Sequence, residues 1–209
     1  MYIIFHRLFI TTIFLGFSLY GCAFHSIPEI PISSESVSAG TVVTRAGNEK
    51  KLIGSPVAEG DQLPSTILVD RVMRPRTLDE FKGKTVLIST APSLDTQICE
   101  RQTQLLGDAS DKELPKDIVR VMITRDLPFA YGRYAEETGF FHITYLSDYQ
   151  DAAFGKQTGL LIEDLRLLAR AVIVVDKNGT IRYLQIVPEV SHLPDMDKAF
   201  SIARKINAE

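Results

Sequence analysis

The sequence has no tryptophan, two cysteines (Cys22 and Cys99) and four histidines. Two thiols cannot build a disulfide framework, and these two do not form the C-x-x-C pair of a dithiol or zinc motif. His6, His25, His142 and His192 are scattered with no pair at helical i, i+4 spacing, so no metal centre is expected. An excess of positive charge is also missing: 23 Lys and Arg against 26 Asp and Glu give a net charge of −3, which argues against nucleic acid as a partner. There is no internal repeat. At 209 residues and 45% hydrophobic, the chain suffices for one ordinary core and is short for two. Any chemistry must use few residues.

What is present begins with an apolar run, LFITTIFLGFSLY (residues 8–20), that carries no charge and follows Arg7. It is shorter than the roughly 20 residues of a membrane span and fits a secretory signal better. It ends in Leu19-Tyr20-Gly21-Cys22, which resembles the lipobox of bacterial lipoproteins, and that resemblance implies an acylated Cys22 at the new N-terminus. The alternative is an uncleaved signal anchor in which Cys22 is only an apolar side chain. The next stretch, AFHSIPEIPISSESVSAG, contains Pro28, Pro31 and five serines and shows neither helical nor alternating periodicity. The expected organisation is therefore a signal peptide over 1–21, a lipidated cysteine and flexible tether over 22–40, and one domain over 41–209. The expected location is the bacterial cell envelope, exported and anchored to a membrane.

Within the domain, residues 41–47 and 50–54 read as a hairpin. KTVLIST (84–90), DIVRVMIT (117–124), Ile143–Leu146, AVIVV (171–175) and TIRYLQIV (180–187) read as strands, with Asp176-Lys177-Asn178-Gly179 as a tight turn between the last two. Helices are expected over Thr96–Ala109, over Pro128–Thr138 with Gly139 just past its end, and over Pro194–Ile206. The short segment Asp151–Gly159 reads as a helix or turn. Strands alternating with helices, then a hairpin and a last helix, make a mixed α/β domain of thioredoxin-like layout with an N-terminal β-hairpin.

One segment carries chemistry. In Pro92-Ser93-Leu94-Asp95-Thr96-Gln97-Ile98-Cys99 the chain passes from a strand to a helix. Cys99 falls in the first helical turn, where unpaired N–H groups and the positive end of the macrodipole favour a thiolate. Thr96 can cap the helix and turn its hydroxyl toward the sulfur, and Pro92 gives a stiff wall with no N–H to satisfy. Taken singly, Cys99 also reads as a buried apolar side chain, Thr96 as a plain cap and Pro92 as a loop stiffener.

The pattern P-x-x-x-T-x-x-C is the peroxiredoxin signature, and PSLDTQIC resembles the thiol peroxidase subfamily. DEFKGK (79–84), Gln102-Thr103, DLPFA (126–130), LSDY (146–149), FGK (154–156), LLARAV (167–172) and VPEV (187–190) extend the resemblance over about residues 41–206. It implies a thioredoxin fold, a homodimer, and reduction of hydrogen peroxide or organic hydroperoxides without metal or prosthetic group. By position, Cys99 is then the peroxidatic nucleophile, Thr96 the peroxide's hydrogen-bonding partner, Pro92 a shield, and Arg170 the guanidinium facing the thiolate. Arg170 alone also reads as one half of an ion pair with Glu163 or Asp164.

The chain departs from this subfamily in one place that matters. Ala135, in DLPFAYGRYAEETG, stands where a resolving cysteine is expected. A one-cysteine cycle follows, in which Cys99 goes to sulfenic acid and an external thiol, from a thioredoxin-like protein or a small molecule, restores it. LPSTILVD (63–70) also loses an Asp and a Phe of the usual string. Two other readings remain open at this level: a redox-inactive scaffold lipoprotein, and a disulfide switch between unlipidated Cys22 and Cys99. The basic stretch Arg71–Arg76 reads as a solvated loop.

Overall fold

A computed structural model describes residues 29–209, so the expected signal peptide and Cys22 lie outside the described residues. A two-residue strand β1 (Ile32–Ser33) precedes the hairpin β2 (Val42–Arg45) and β3 (Asn48–Ile53), then β4 (Ile67–Asp70) and β5 (Pro75–Thr77). Next come β6 (Val86–Thr90), α1 (Gln97–Asp108), β7 (Val119–Thr124), α2 (Pro128–Thr138), β8 (Thr144–Ser147) and α3 (Ala153–Thr158). The chain ends with β9 (Leu161–Ile162), β10 (Ala171–Val175), β11 (Ile181–Ile186), β12 (Leu193–Pro194) and α4 (Met196–Asn207).

The central sheet has seven strands in the order β11-β10-β6-β7-β8-β4-β5. β6, β7 and β8 run parallel, and β10 lies antiparallel to β6 with Ala171 opposite Thr90. Every residue of β6 and of β10 is buried, as expected of runs rich in Val, Ile and Leu without polar alternation. One face packs Leu87, Met122 and Val174 under α1, α2 and α4; the other packs Ile88, Ile123 and Ile173 under α3 and the β2–β3 hairpin. The mixed α/β, thioredoxin-like fold expected from the sequence is the fold observed.

Local chemistry sets the helix ends. α2 starts with Pro128 and stops at Gly139, whose φ of 74° puts its N–H on the Ala135 carbonyl. Arg120 closes the end of α1 by donating to the carbonyls of Leu106, Gly107, Ala109 and Leu114 at 2.7–3.3 Å.

Four local features differ from the sequence reading. The expected tether is shorter, because residues 31–40 bind the domain as a strap. β1 pairs with β12, the Val37 N–H meets the Ile186 carbonyl, and Gln185 donates to the Ser33 and Glu35 carbonyls. An open sheet edge at β11 gives these bonds a template that Ser/Pro-rich composition does not reveal. The N-terminal hairpin turns at Ala46-Gly47, both at positive φ, and joins β9 in a separate three-stranded sheet. Ile67–Asp70 and Pro75–Thr77 form an antiparallel edge hairpin, so Arg71–Arg76 is a turn plus a strand instead of a loose loop. Leu161–Ile162 is too short to announce itself as a strand.

Candidate active site

β6 ends at Thr90 and the chain crosses 91–96 before α1 begins. The crossing is pinned from β7. Asp126 accepts the Leu94 N–H at 2.7 Å and the Thr124 hydroxyl at 2.7 Å, and the Ala91 N–H reaches the Ile123 carbonyl at 3.3 Å. Pro92 is buried here, where its missing N–H leaves no donor unpaired.

Thr96 stands at the N-cap of α1 with extended backbone (φ −122°, ψ 138°) and makes no side-chain cap bond. Its hydroxyl donates to the Ser93 carbonyl at 3.2 Å on the protein surface, and among the described residues no hydrogen bond joins it to Cys99. The expected turn of this hydroxyl toward the sulfur is thus replaced by a local bond to its own loop. The first turn of α1 is thus left without a side-chain cap for its N–H groups.

Cys99, third residue of α1, is 1% exposed and packs in the core layer with Leu94, Tyr131, Tyr134 and Ala135. Its sulfur receives Nη2 of Arg170 at 3.3 Å. Arg170 immediately precedes β10, and the antiparallel register that sets Ala171 against Thr90 delivers its side chain to the end of β6 where α1 starts. It is 0% exposed. Its Nε donates to the Val190 carbonyl at 3.0 Å and its Nη1 to Gln102 Oε1 at 2.5 Å. The carboxylates that an isolated arginine was expected to meet are engaged elsewhere: Asp164 with Lys50 at 2.6 Å, Glu163 with Lys51 at 3.8 Å. Among the described residues, no carboxylate lies within ion-pair distance of Arg170. A buried guanidinium with neutral acceptors on two sides and sulfur on the third is charge-matched only when that sulfur is an anion.

Three side chains that build this arrangement gained no role from the sequence. Gln102 joins Arg170 to β6 through Ser89 Oγ at 2.7 Å and the Thr90 carbonyl at 3.2 Å. Its signal was present: a polar residue one turn after Cys99, on the same buried helix face. Asp126 holds the cysteine loop as described. Glu189 accepts the hydroxyls of Thr44 (2.8 Å) and Ser191 (2.8 Å) and the N–H groups of Ala46 and Ser191 (each 3.1 Å), fixing the segment that carries the Val190 carbonyl. Burial pushes its carboxyl up, but these four donors prevail and bring the pKa down to about 2.

Above the cysteine loop, a cavity of about 210 Å³ opens between α1 and α2, lined by Thr96, Glu100, Ala130, Arg133 and Tyr134 among others. Thr96 and Gln97, at the start of the helix that carries Cys99, line it, while Cys99 itself lies buried beneath. Ala135 is fully buried in the same layer as Cys99, one residue past Tyr134, whose hydroxyl reaches the Glu100 carbonyl at 3.3 Å.

Residues 58–200 match the Redoxin family. The chain is 39% identical over 166 residues to a thiol peroxidase of Staphylococcus epidermidis, covering 79% of this chain and 99% of that one. It is 38% identical over 162 residues to a thiol peroxidase of Halalkalibacterium halodurans, covering 78% and 96%. Among solved structures, a peroxiredoxin-like protein from Aquifex aeolicus superposes with a TM-score of 0.74 at 29% identity, over 81% of this chain and 98% of that one. A thiol peroxidase from Chromobacterium violaceum superposes at 0.68 with 25% identity, over 79% and 96%.

Proposed function

The chain belongs to the redoxin family and, within it, to the thiol peroxidases, and on that premise we propose that its cycle runs on Cys99 alone, in a dimer anchored to a membrane. It is an oxidoreductase that reduces peroxides at the expense of thiols. The observation that carries the assignment to Cys99 is the buried Arg170 guanidinium, 3.3 Å from its sulfur and without a carboxylate partner among the described residues.

The thiolate attacks the terminal oxygen of the hydroperoxide; an S–O bond forms as the O–O bond breaks, and the leaving oxygen takes a proton to depart as water or an alcohol. Arg170 offers fixed donors to the charge that moves from sulfur to oxygen, and the Thr96 hydroxyl sits at the mouth to orient the substrate. With Ala135 in place of a second thiol, the sulfenic acid is released by two external thiols. The first condenses with it to a mixed disulfide and water; the second displaces Cys99 and carries away the disulfide.

Acylation of Cys22 after removal of residues 1–21 would hold the enzyme in the cell envelope, where the reductant is an exported thioredoxin-like protein or a small thiol. The exposed Leu127 and Phe129, beside the cavity over the cysteine loop, support a homodimer that covers them. The test is peroxide consumption with dithiothreitol by the full chain and by Cys99→Ser. Turnover lost in the variant, with a dimedone adduct on Cys99 of the wild type after one equivalent of peroxide, is the expected result. Turnover that survives Cys99→Ser overturns the assignment. Intact mass reports the acyl group on Cys22, and sedimentation of Phe129→Glu reports the dimer.

A further inference from the structure

We propose that the β4–β5 turn, Arg71-Val72-Met73-Arg74, together with Phe141, is a docking tip for an anionic lipid surface. The turn is rigid. Asp70 Oδ1 accepts the N–H groups of Val72 and Arg74 at 3.0 and 2.9 Å, and the Asp70 carbonyl takes the Met73 N–H at 3.0 Å. Met73 is held at φ +67°, a conformation that costs a non-glycine residue and that asparagine or glycine would adopt more readily. The strain presents an apolar side chain outward: Val72 is 53% and Met73 46% exposed, with Phe141 beside them at 56%.

The charge at this tip is positive and free. The Arg71 guanidinium lies 5.4 Å from the centre of the Phe141 ring, which places charge and aromatic face side by side. Arg76 is bound to Glu80 and Asp70, whereas among the described residues neither Arg71 nor Arg74 forms an ion pair. On a chain whose net charge is −3, two unpaired arginines around three exposed apolar side chains are complementary to lipid phosphates over acyl chains.

Chain length brings that surface within reach. The inference rests on the lipoprotein reading, in which the anchor is Cys22; the described chain starts seven residues later, at Glu29. Seven residues span at most about 25 Å, so an anchored domain is held within that distance of the bilayer. Ile32, on the strap, lines a groove that reaches Asp108 and Ala109 at the end of α1. The neighbouring Gly107 carbonyl meets His142 Nε2 at 3.0 Å, one residue from Phe141. The tip therefore borders the last turn of α1, while Cys99 lies in the first, roughly 15 Å away along the helix. Docked through the tip, the enzyme presents its peroxide mouth to the aqueous side.

The experiment is co-sedimentation of the chain from residue 22 onward, carrying Cys22→Ser and so no acyl group, with two kinds of vesicle. One is equal parts phosphatidylcholine and phosphatidylglycerol; the other is phosphatidylcholine alone. Binding is expected to the first only and to weaken with salt. Arg71→Gln and Arg74→Gln should each lower partitioning roughly fivefold. Met73→Asn suits the positive φ and removes an exposed apolar side chain, so it should lower partitioning while solution peroxidase activity stays unchanged. Vesicle-bound wild type should still consume peroxide with dithiothreitol. Equal binding to both vesicles, binding to neither, or self-association abolished by the same variants overturns the lipid assignment. A bound but inactive enzyme overturns the outward-facing mouth. The mass of the wild-type chain extracted from membranes reports acylation separately, so failure of the tip and failure of the anchor are told apart.

Discussion

Gln102 Oε1 and Arg170 Nη1 meet at 2.5 Å in the interior, while the amide nitrogen of the same Gln102 holds Ser89 Oγ at 2.7 Å. The group that faces Cys99 is thus tethered to the helical turn that carries Cys99, so sulfur and guanidinium are positioned by one another's element. Gln102→Leu leaves a guanidinium N–H and a hydroxyl buried without partners, at a cost of about 1–3 kcal/mol. A lower urea midpoint and a kcat/KM for peroxide reduced about tenfold or more are expected. An unchanged kcat/KM would mean that the Val190 carbonyl alone orients Arg170.

Replacing Arg170 by lysine keeps the charge and loses the fork. Three separate acceptors, the Val190 carbonyl, Gln102 and the Cys99 sulfur, are served by three different nitrogens of Arg170. One ammonium cannot face all three. Arg170→Lys should therefore lose about 10²-fold in kcat/KM, a value typical of removing a preorganised donor from a reacting centre. Circular dichroism checks that the fold persists, and the rate of Cys99 alkylation by iodoacetamide should fall in parallel with kcat/KM.

Much of this was legible in the sequence, and the exceptions have physical causes. Long apolar runs such as AVIVV and capped helices such as 128–138 declare themselves because periodicity and end chemistry agree. Arg170 was found through the string around it, since nothing local distinguishes a buried arginine from a surface one. The role of Gln102 depends on β10 lying antiparallel to β6, a long-range pairing that no window of sequence contains. The strap was missed for a related reason. Residues 31–40 have no pattern of their own and acquire structure only from the bonds that β11 and β12 leave open.

The pH dependence of stability should show the clamp at Glu189. Its carboxylate joins the β2–β3 turn to the segment before β12 through Thr44, Ala46 and Ser191. Its folded pKa, about 2, is below its ordinary value of 4.5. The folded state thus binds this proton less readily than the unfolded state, so the contribution is fully present above pH 4.5 and is lost as pH falls toward 2. Urea midpoints of the wild type should fall across that window. Glu189→Gln should start lower at neutral pH and vary less between pH 4.5 and 2. Parallel curves for the two proteins would remove Glu189 from the acid sensitivity.

Placing a thiol at Ala135 tests whether the proposed one-cysteine cycle is set by the missing sulfur or by the frame. Ala135 is fully buried in the layer that holds Cys99, and Tyr134 fastens α2 to the first turn of α1 through the Glu100 carbonyl. A disulfide needs Cα atoms within about 7 Å and a specific dihedral, so the turns that carry residues 99 and 135 have to shift wherever the packed helices hold them further apart. The first turn of α1 lacks a side-chain cap, which lowers the cost of opening it. Ala135→Cys is therefore expected to fold, with at most about 1–3 kcal/mol lost to overpacking. One equivalent of peroxide should then remove two hydrogens from its intact mass, where the wild type gains one oxygen. Turnover with thioredoxin should be faster in the variant than in the wild type. If the variant instead gains oxygen and forms no disulfide, the frame itself has lost the opening motion, and external thiols reach Cys99 without unwinding α2.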